Sequence, residues 1–195
     1  RPFNINRDIR IVPLWMKKSP VPAGYKPVYL DTTFAFGSGM HATTQMMAKL
    51  IYVKKKSLDS FLDIGTGSGI LALIAWAYGC RDVWALDIDP ISIKTAAVNC
   101  GLNKCAPEYL KAVKFERFKA KKQFDFVAAN LLTEDLIRLQ DKLIASVKPG
   151  GFLAVSGIYF ENYPLLREKF RSPDLVCETV VKKKKWYAVL FRRIS

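Results

Sequence analysis

Histidine occurs once in this chain, at His41, and the four cysteines, Cys80, Cys100, Cys105 and Cys177, show no C-x-x-C spacing. A Cys/His zinc cluster needs more ligands at closer intervals, so no metal is expected and the thiols read as reduced, in a cytoplasmic setting. Long apolar runs are also missing. No stretch approaches the roughly 18 residues that span a bilayer, and the start Arg1-Pro2-Phe3-Asn4 has no signal-peptide character. The absence of an initial Met leaves room for an upstream segment. Acidic charge is scarce: 17 Asp and Glu against 31 Lys and Arg give a formal net charge of +14. That balance favours acidic partners such as RNA or ribonucleoprotein, with a lysine-rich solvated surface as the alternative.

Half of the 195 residues are hydrophobic, enough to bury one large core. Residues 1–33 read as an entry segment with two brief strands, Ile9–Val12 and Val28–Leu30, separated by prolines. From residue 34 onward the pattern alternates strand and helix. The loop Phe34–Thr44 leads into a helix carrying Met46, Met47, Leu50 and Ile51 as core fillers, and Lys54–Lys56 closes it on a solvated face. Phe61–Ile64 reads as a buried strand running into the glycines Gly65, Gly67 and Gly69 and an apolar helix, Ile70–Ala77. Val83–Leu86 is a second strand ending at Asp87. Asp89 and Pro90 are an N-cap and first-turn pair for the next helix.

Further on, a weak strand is expected at Val113–Phe115 and a firm one at Phe124–Ala129, which delivers Asn130 at its end. A single helix from Thr133 follows, burying Leu136, Ile137, Leu139, Leu143, Ile144 and Val147 on one face. Lys148-Pro-Gly-Gly151 stops it before a strand at Phe152–Val155. A helix at Glu161–Phe170 precedes Leu175–Val181 and Trp186–Phe191, two strands joined by the Lys182–Lys185 turn as an antiparallel hairpin. The order predicts an α/β domain with a mostly parallel sheet.

In such a sheet ligands dock outside the C-terminal strand ends, where the glycine turn, Asp87 and Asn130 converge. Asp87, twenty positions past Gly67, suits the two ribose hydroxyls of an adenosine. A pyrophosphate would be repelled by Asp63 beside the glycines, whereas the ammonium of a methionine moiety would be attracted. S-adenosylmethionine is therefore favoured over NAD, and no length remains for a dehydrogenase's substrate domain. Each position also has a plain structural reading: strand–helix packing for the glycines, a strand-end cap for Asn130, loop hydrogen bonding for His41 and core packing for Trp186.

The segments Ala35–Thr44, Asp63–Leu71, Asp87-Ile-Asp-Pro90, Ala129-Asn-Leu-Leu132, Lys148–Gly151 and Ser156-Gly-Ile158 resemble the lysine methyltransferases of large-subunit ribosomal protein eleven. The resemblance implies a class I, Rossmann-like methyltransferase fold of seven strands and methyl transfer from S-adenosylmethionine to protein lysine or α-amines of a ribosomal protein. It implies cofactor contacts from Thr44, Asp63, Gly65, Thr66, Gly67, Gly69, Asp87, Ile88 and Asn130, and an active site lined by Phe36, His41, Asn130 and Trp186. Two features depart from the family: the usual N-terminal recognition domain is missing before Phe34, and Met40 and Ala42 alter the loop. An RNA or small-molecule N-methyltransferase, or a module that binds the cofactor without turnover, stays open as an alternative. Asn130-Leu-Leu-Thr133 is not the Asn-Pro-Pro-aromatic motif of a nucleobase or glutamine methylase.

Overall fold

The computed structural model describes residues 1–31, 39–120 and 122–195. Its centre is a seven-stranded sheet made of β4 (Ser60–Ile64), β5 (Asp82–Asp87), β6 (Tyr109–Ala112), β7 (Phe124–Asn130), β8 (Val147–Tyr159), β9 (Leu175–Lys183) and β10 (Trp186–Arg193). The strands lie in the order β6-β5-β4-β7-β8-β10-β9. The first five run parallel, while β10 is antiparallel to both neighbours. The mostly parallel sheet with a terminal hairpin is thus as expected. The order reverses between β4 and β7, so their C-terminal ends flank the crevice where such sheets hold ligands.

All five residues of β4 are buried, as a central parallel strand covered on both faces requires. Phe61, Phe124 and Phe126 are among the largest fully buried side chains, each contributing roughly 1.5–3 kcal/mol through burial. Helices α1 (Ala42–Val53) and α2 (Ile70–Ala77) pack on one face with Met46 and Met47 in the core. The other face is covered by α4 (Thr133–Arg138), α5 (Gln140–Ala145) and α6 (Tyr163–Lys169). Asp89 caps α3 (Pro90–Leu102), its carboxylate accepting from the Ile91 and Ser92 amides at 2.9 and 3.2 Å.

Five expectations need correction. The N-terminal segment forms its own sheet with an extra strand: β1 (Phe3–Asn4), β2 (Ile9–Pro13) and β3 (Lys26–Leu30), β2 and β3 being parallel. Asn103 mimics a strand partner for β3, donating to the Tyr29 carbonyl at 2.7 Å and accepting from its amide at 2.8 Å. The strand expected at Val113–Phe115 lies earlier, because Tyr109 pairs with Trp84 and their rings stack at 5.0 Å; Phe115, itself buried, instead starts a 3-10 turn.

The helix from Thr133 breaks at Leu139 into α4 and α5, leaving Ile137 half-buried, and Val147 begins β8. Lys148–Gly151 forms a bulge within β8, where the register jumps from Phe124↔Val147 to Phe126↔Phe152. Gly151 is required there, since a Cβ would stand 2.9 Å from the Asp125 carbonyl oxygen. Finally, two of the three lysines closing α1 are partnered: Lys54 meets Glu178 at 2.6 Å and lies over the Phe152 ring, and Lys55 pairs with Asp8, while Lys56 is exposed as expected.

Gly157 bends β8 with φ +92°, and a Cβ there would fall 1.9 Å from the Leu131 carbonyl oxygen. Gly157→Ala should lower stability by more than ~3 kcal/mol in urea unfolding, through backbone clash added to left-handed strain. Gly24→Ala, at φ +85° with nothing within 4 Å, carries the strain alone and should cost about 1–2 kcal/mol.

Candidate active site

The glycine turn after β4 sits on the end of β5. The Gly65 and Thr66 amides both donate to the Leu86 carbonyl at 2.9 and 3.0 Å, and the Gly69 amide donates to the Thr66 carbonyl at 2.8 Å. The Gly67 amide donates to Asp87 Oδ2 at 2.9 Å, while Asp87 Oδ1 accepts from the Asp89 amide at 3.0 Å. These four turn amides are committed inside the protein. A dinucleotide site offers such donors to a pyrophosphate, and this turn has spent them. Each Asp87 oxygen retains accepting capacity, which suits neutral hydroxyl donors.

Two compartments open here. The larger, about 760 Å³, is lined by His41, Thr43, Thr44, Gly65, Thr66, Gly67, Asn130, Leu131 and Trp186 among others. The smaller, about 100 Å³, lies between Leu86, Asp87, Ile88, Val113, Phe115 and Leu139. Gly65, Leu131 and Asp135 border both, so the pair forms one cleft with an apolar slot beside a carboxylate and a wider chamber beyond. Gly65 is needed at the junction: φ is +72°, and a Cβ would meet Leu131 Cδ2 at 2.4 Å.

The cleft brings together most residues singled out in the sequence. Asn130 ends β7 opposite Ser156, and among the described residues its side chain takes no hydrogen bond. His41 caps α1, with Nδ1 2.7 Å from Thr43 Oγ1 and accepting weakly from the Thr43 amide at 3.4 Å. With Nδ1 as acceptor, the neutral ring carries its proton on Nε2. The His41 and Trp186 rings meet edge to face at 5.0 Å, and Tyr159 supports Trp186 from 5.2 Å. Trp186 therefore belongs to the wall of the chamber. Asp63 and Gly69 line neither compartment, and Phe36 lies outside the described residues.

Three contributors escaped the sequence reading. Leu131 stands in the Ala129-Asn-Leu-Leu132 segment with no role assigned to it, yet it borders both compartments. Gly157 makes room for the Leu131 backbone, and a lone glycine inside a strand is the signal for such close approach. Asn99, fully buried in α3, donates to the Ser68 carbonyl of the turn at 2.8 Å and brackets Asp31, accepting from its amide at 2.6 Å and donating to its carbonyl at 3.1 Å. It ties the entry segment to the glycine turn, and helix periodicity alone carries no sign of it.

Asp63 is fully buried beneath the turn. Oδ2 accepts from Thr66 Oγ1 at 2.7 Å and from the Ala72 amide at 3.2 Å, and Oδ1 has no partner among the described residues. Loss of hydration pushes its carboxyl from 3.8 up to about 7; the Thr66 and Ala72 bonds oppose this and the nearby Asp87 charge reinforces it. The folded chain thus holds this proton more tightly than the unfolded chain. The corresponding stability is complete below about pH 4 and is lost as the pH rises through 7. Asp63→Asn should remove a pH-dependent loss on the order of 2–4 kcal/mol between pH 4 and 8, read as the wild-type-minus-variant difference in denaturant midpoints. A constant difference across that range would show that Asp63 is ionised throughout.

A family model described as Ribosomal protein L11 methyltransferase (PrmA) matches residues 1–194. The ribosomal protein L11 methyltransferase of Limosilactobacillus fermentum is 33% identical over 189 residues, covering 97% of this chain and 59% of that protein. Its counterpart in Geobacter sulfurreducens is 37% identical over 191 residues, covering 98% and 62%. The chain therefore spans about three-fifths of the length of the curated relatives it matches. Among solved structures, the ribosomal protein L11 methylase from Lactobacillus delbrueckii subsp. bulgaricus superposes with a TM-score of 0.89 at 30% identity, covering 100% of this chain and 99% of that one. The N-methyltransferase NodS from Bradyrhizobium japonicum, at 15% identity and a TM-score of 0.63 over 77% of this chain and 96% of that one, shares the fold. On the family match and these relatives, the chain belongs to the ribosomal protein L11 methyltransferase family.

Proposed function

We propose that the chain is the catalytic part of an S-adenosylmethionine-dependent methyltransferase that modifies lysine or α-amino groups of a ribosomal protein. The substrate named by its relatives is L11. The observation that carries this reading is the divided cleft. A carboxylate with free accepting capacity borders an apolar slot, four amides of the glycine turn are already bonded inside the protein, and a wider chamber begins at Leu131. A nucleoside joined to a cationic sulfonium fits that donor set better than a dinucleotide does. When bound, this group supplies an electrophilic methyl carbon.

Asp87 would accept from the ribose hydroxyls, while Leu86, Ile88, Val113 and Phe115 would enclose the base. Thr44, Gly65, Thr66 and Gly67 line the passage for the methionine part, with Asp63 and Gly69 shaping the turn from behind. An amine attacks only through its lone pair, and free lysine titrates near pKa ~10.4. The chamber wall at Trp186 disfavours the ammonium form by desolvation. The Asn130 amide, which has no partner among the described residues, orients the amine by accepting from its N–H. Position rather than base strength then limits the rate. His41 holds the start of α1 and the edge of Trp186, since its accepting nitrogen is occupied by Thr43. The strong positive charge supports contact with ribosomal RNA beside the protein substrate.

Incubation with methyl-labelled S-adenosylmethionine and a ribosomal protein fraction should place the label in protein. Label confined to RNA would overturn the protein substrate, and cofactor binding with no label anywhere would leave only a binding module. Asp87→Ala should weaken S-adenosylhomocysteine binding at least ~100-fold in calorimetry, two charge-accepted hydrogen bonds being lost. Unchanged affinity would remove Asp87 from the ribose. His41→Asn keeps a capping acceptor and should leave the pH profile of methyl transfer unshifted; a displaced acidic limb would make His41 the general base.

A further inference from the structure

The hairpin joining β9 to β10 turns on Lys184 and Lys185, with Lys182 and Lys183 ending β9, and all four side chains are exposed. Among the described residues none of the four has a carboxylate partner; Lys183 bonds to the amide oxygen of Gln45, a neutral group. Lys184 sits at φ +56°, so the chain accepts a strained conformation to make this turn from lysine where glycine or asparagine would be easier. The next residue is Trp186, on the chamber wall. Beside the turn, the Phe160 amide donates to the Lys185 carbonyl at 2.9 Å, its ring is 41% exposed, and Lys185 Nζ lies 5.9 Å from that ring. Four uncompensated cations and an exposed aromatic face thus stand one residue from the mouth of the cleft, with Glu161 the acidic neighbour.

Such a rim repels a basic polypeptide and attracts a polyanion. We propose that the Lys182–Lys185 turn and Phe160 dock a single-stranded segment of RNA, which holds a ribonucleoprotein substrate with its amine over the chamber. This rests on the methyltransferase reading above. Lysine ammonium groups contact phosphates without regard to sequence, and an exposed ring stacks on any unpaired base. A duplex would leave Phe160 without a base face, which favours the single strand. The adjacency of Trp186 to Lys185 brings RNA docked on the lysines to the edge of the mouth, because one strand residue advances about 3.3 Å.

The test uses a fluorescent single-stranded RNA of about 12 nucleotides, matched to common site sizes, titrated at several salt concentrations. Lys182→Gln/Lys184→Gln/Lys185→Gln should reduce the logarithmic salt slope by about 2 and the low-salt affinity at least ~10-fold. Phe160→Ala should weaken binding about tenfold with the salt slope unchanged. Lys184→Asn, which suits positive φ, serves as a single-charge variant that keeps the turn folded, and its slope should fall by about 0.7. Unchanged slopes in the triple and single variants would overturn the docking site. Tighter binding of polyglutamate than of RNA would reassign the rim to an acidic protein. Calorimetry with S-adenosylhomocysteine separates the two readings: the triple variant should bind it as the wild type does. Failure of the wild type to bind it would sink the methyltransferase reading and leave the RNA result standing.

Discussion

The glycine turn after β4 is held by the end of β5, and the rest of the site depends on that attachment. One carbonyl, Leu86, receives two amides, and one carboxylate, Asp87, receives a third. Backbone donors at a turn are strong, obligatory hydrogen-bonding groups, so their internal satisfaction decides what the turn can still recognise. Here it converts a phosphate cradle into a smooth surface against which a cofactor packs. The same attachment fixes Gly65 against Leu131 and thereby divides the cleft. Asn99 adds a second tether from behind, joining the turn to the N-terminal sheet.

Charge is distributed unevenly about this framework. Inside, Asp87 puts a carboxylate on the cleft, while Asp63 lies buried beneath the turn with its proton held well above the ordinary carboxylate range. Outside, lysine dominates, but not uniformly. Lys54 and Lys55 are tied to Glu178 and Asp8, and Lys148 to Asp125. Among the described residues the lysines of the β9–β10 hairpin end have no such partners, so their charge beside the cleft is not neutralised by a carboxylate. A cationic ligand inside and a polyanion at the rim are compatible demands, since solvent screens the two regions over about 8 Å at physiological salt.

Much of the fold was legible because the relevant signals are local. β4 is a continuous buried run, Asp89-Pro90 is a capping pair, and the antiparallel hairpin follows from two strand patterns on either side of the lysine run. The misplacements occurred where pairing decided the outcome. Tyr109 won β6 from Val113 by stacking on Trp84, and the bulge at Lys148–Gly151 arose because β8 must begin pairing with Phe124 before realigning at Phe126. Phe36, read from resemblance as part of the site, lies outside the described residues. Leu131 was unreadable for a different reason: an apolar side chain that divides a cavity has the same sequence signature as one that fills a core.

By itself, the sequence determined which chemistries meet at the strand ends, because a glycine run, an acidic residue twenty positions later and a strand-terminal asparagine are fixed in type and spacing by covalent order. The tertiary structure alone decided what each group has left to offer. Hydrogen-bond capacity is finite: the turn amides are consumed by Leu86 and Asp87, His41 gives its accepting nitrogen to Thr43, and Asn130 remains free among the described residues. Only folded neighbours settle that partition, since the groups that compete for each donor and acceptor come from elements far apart in the chain.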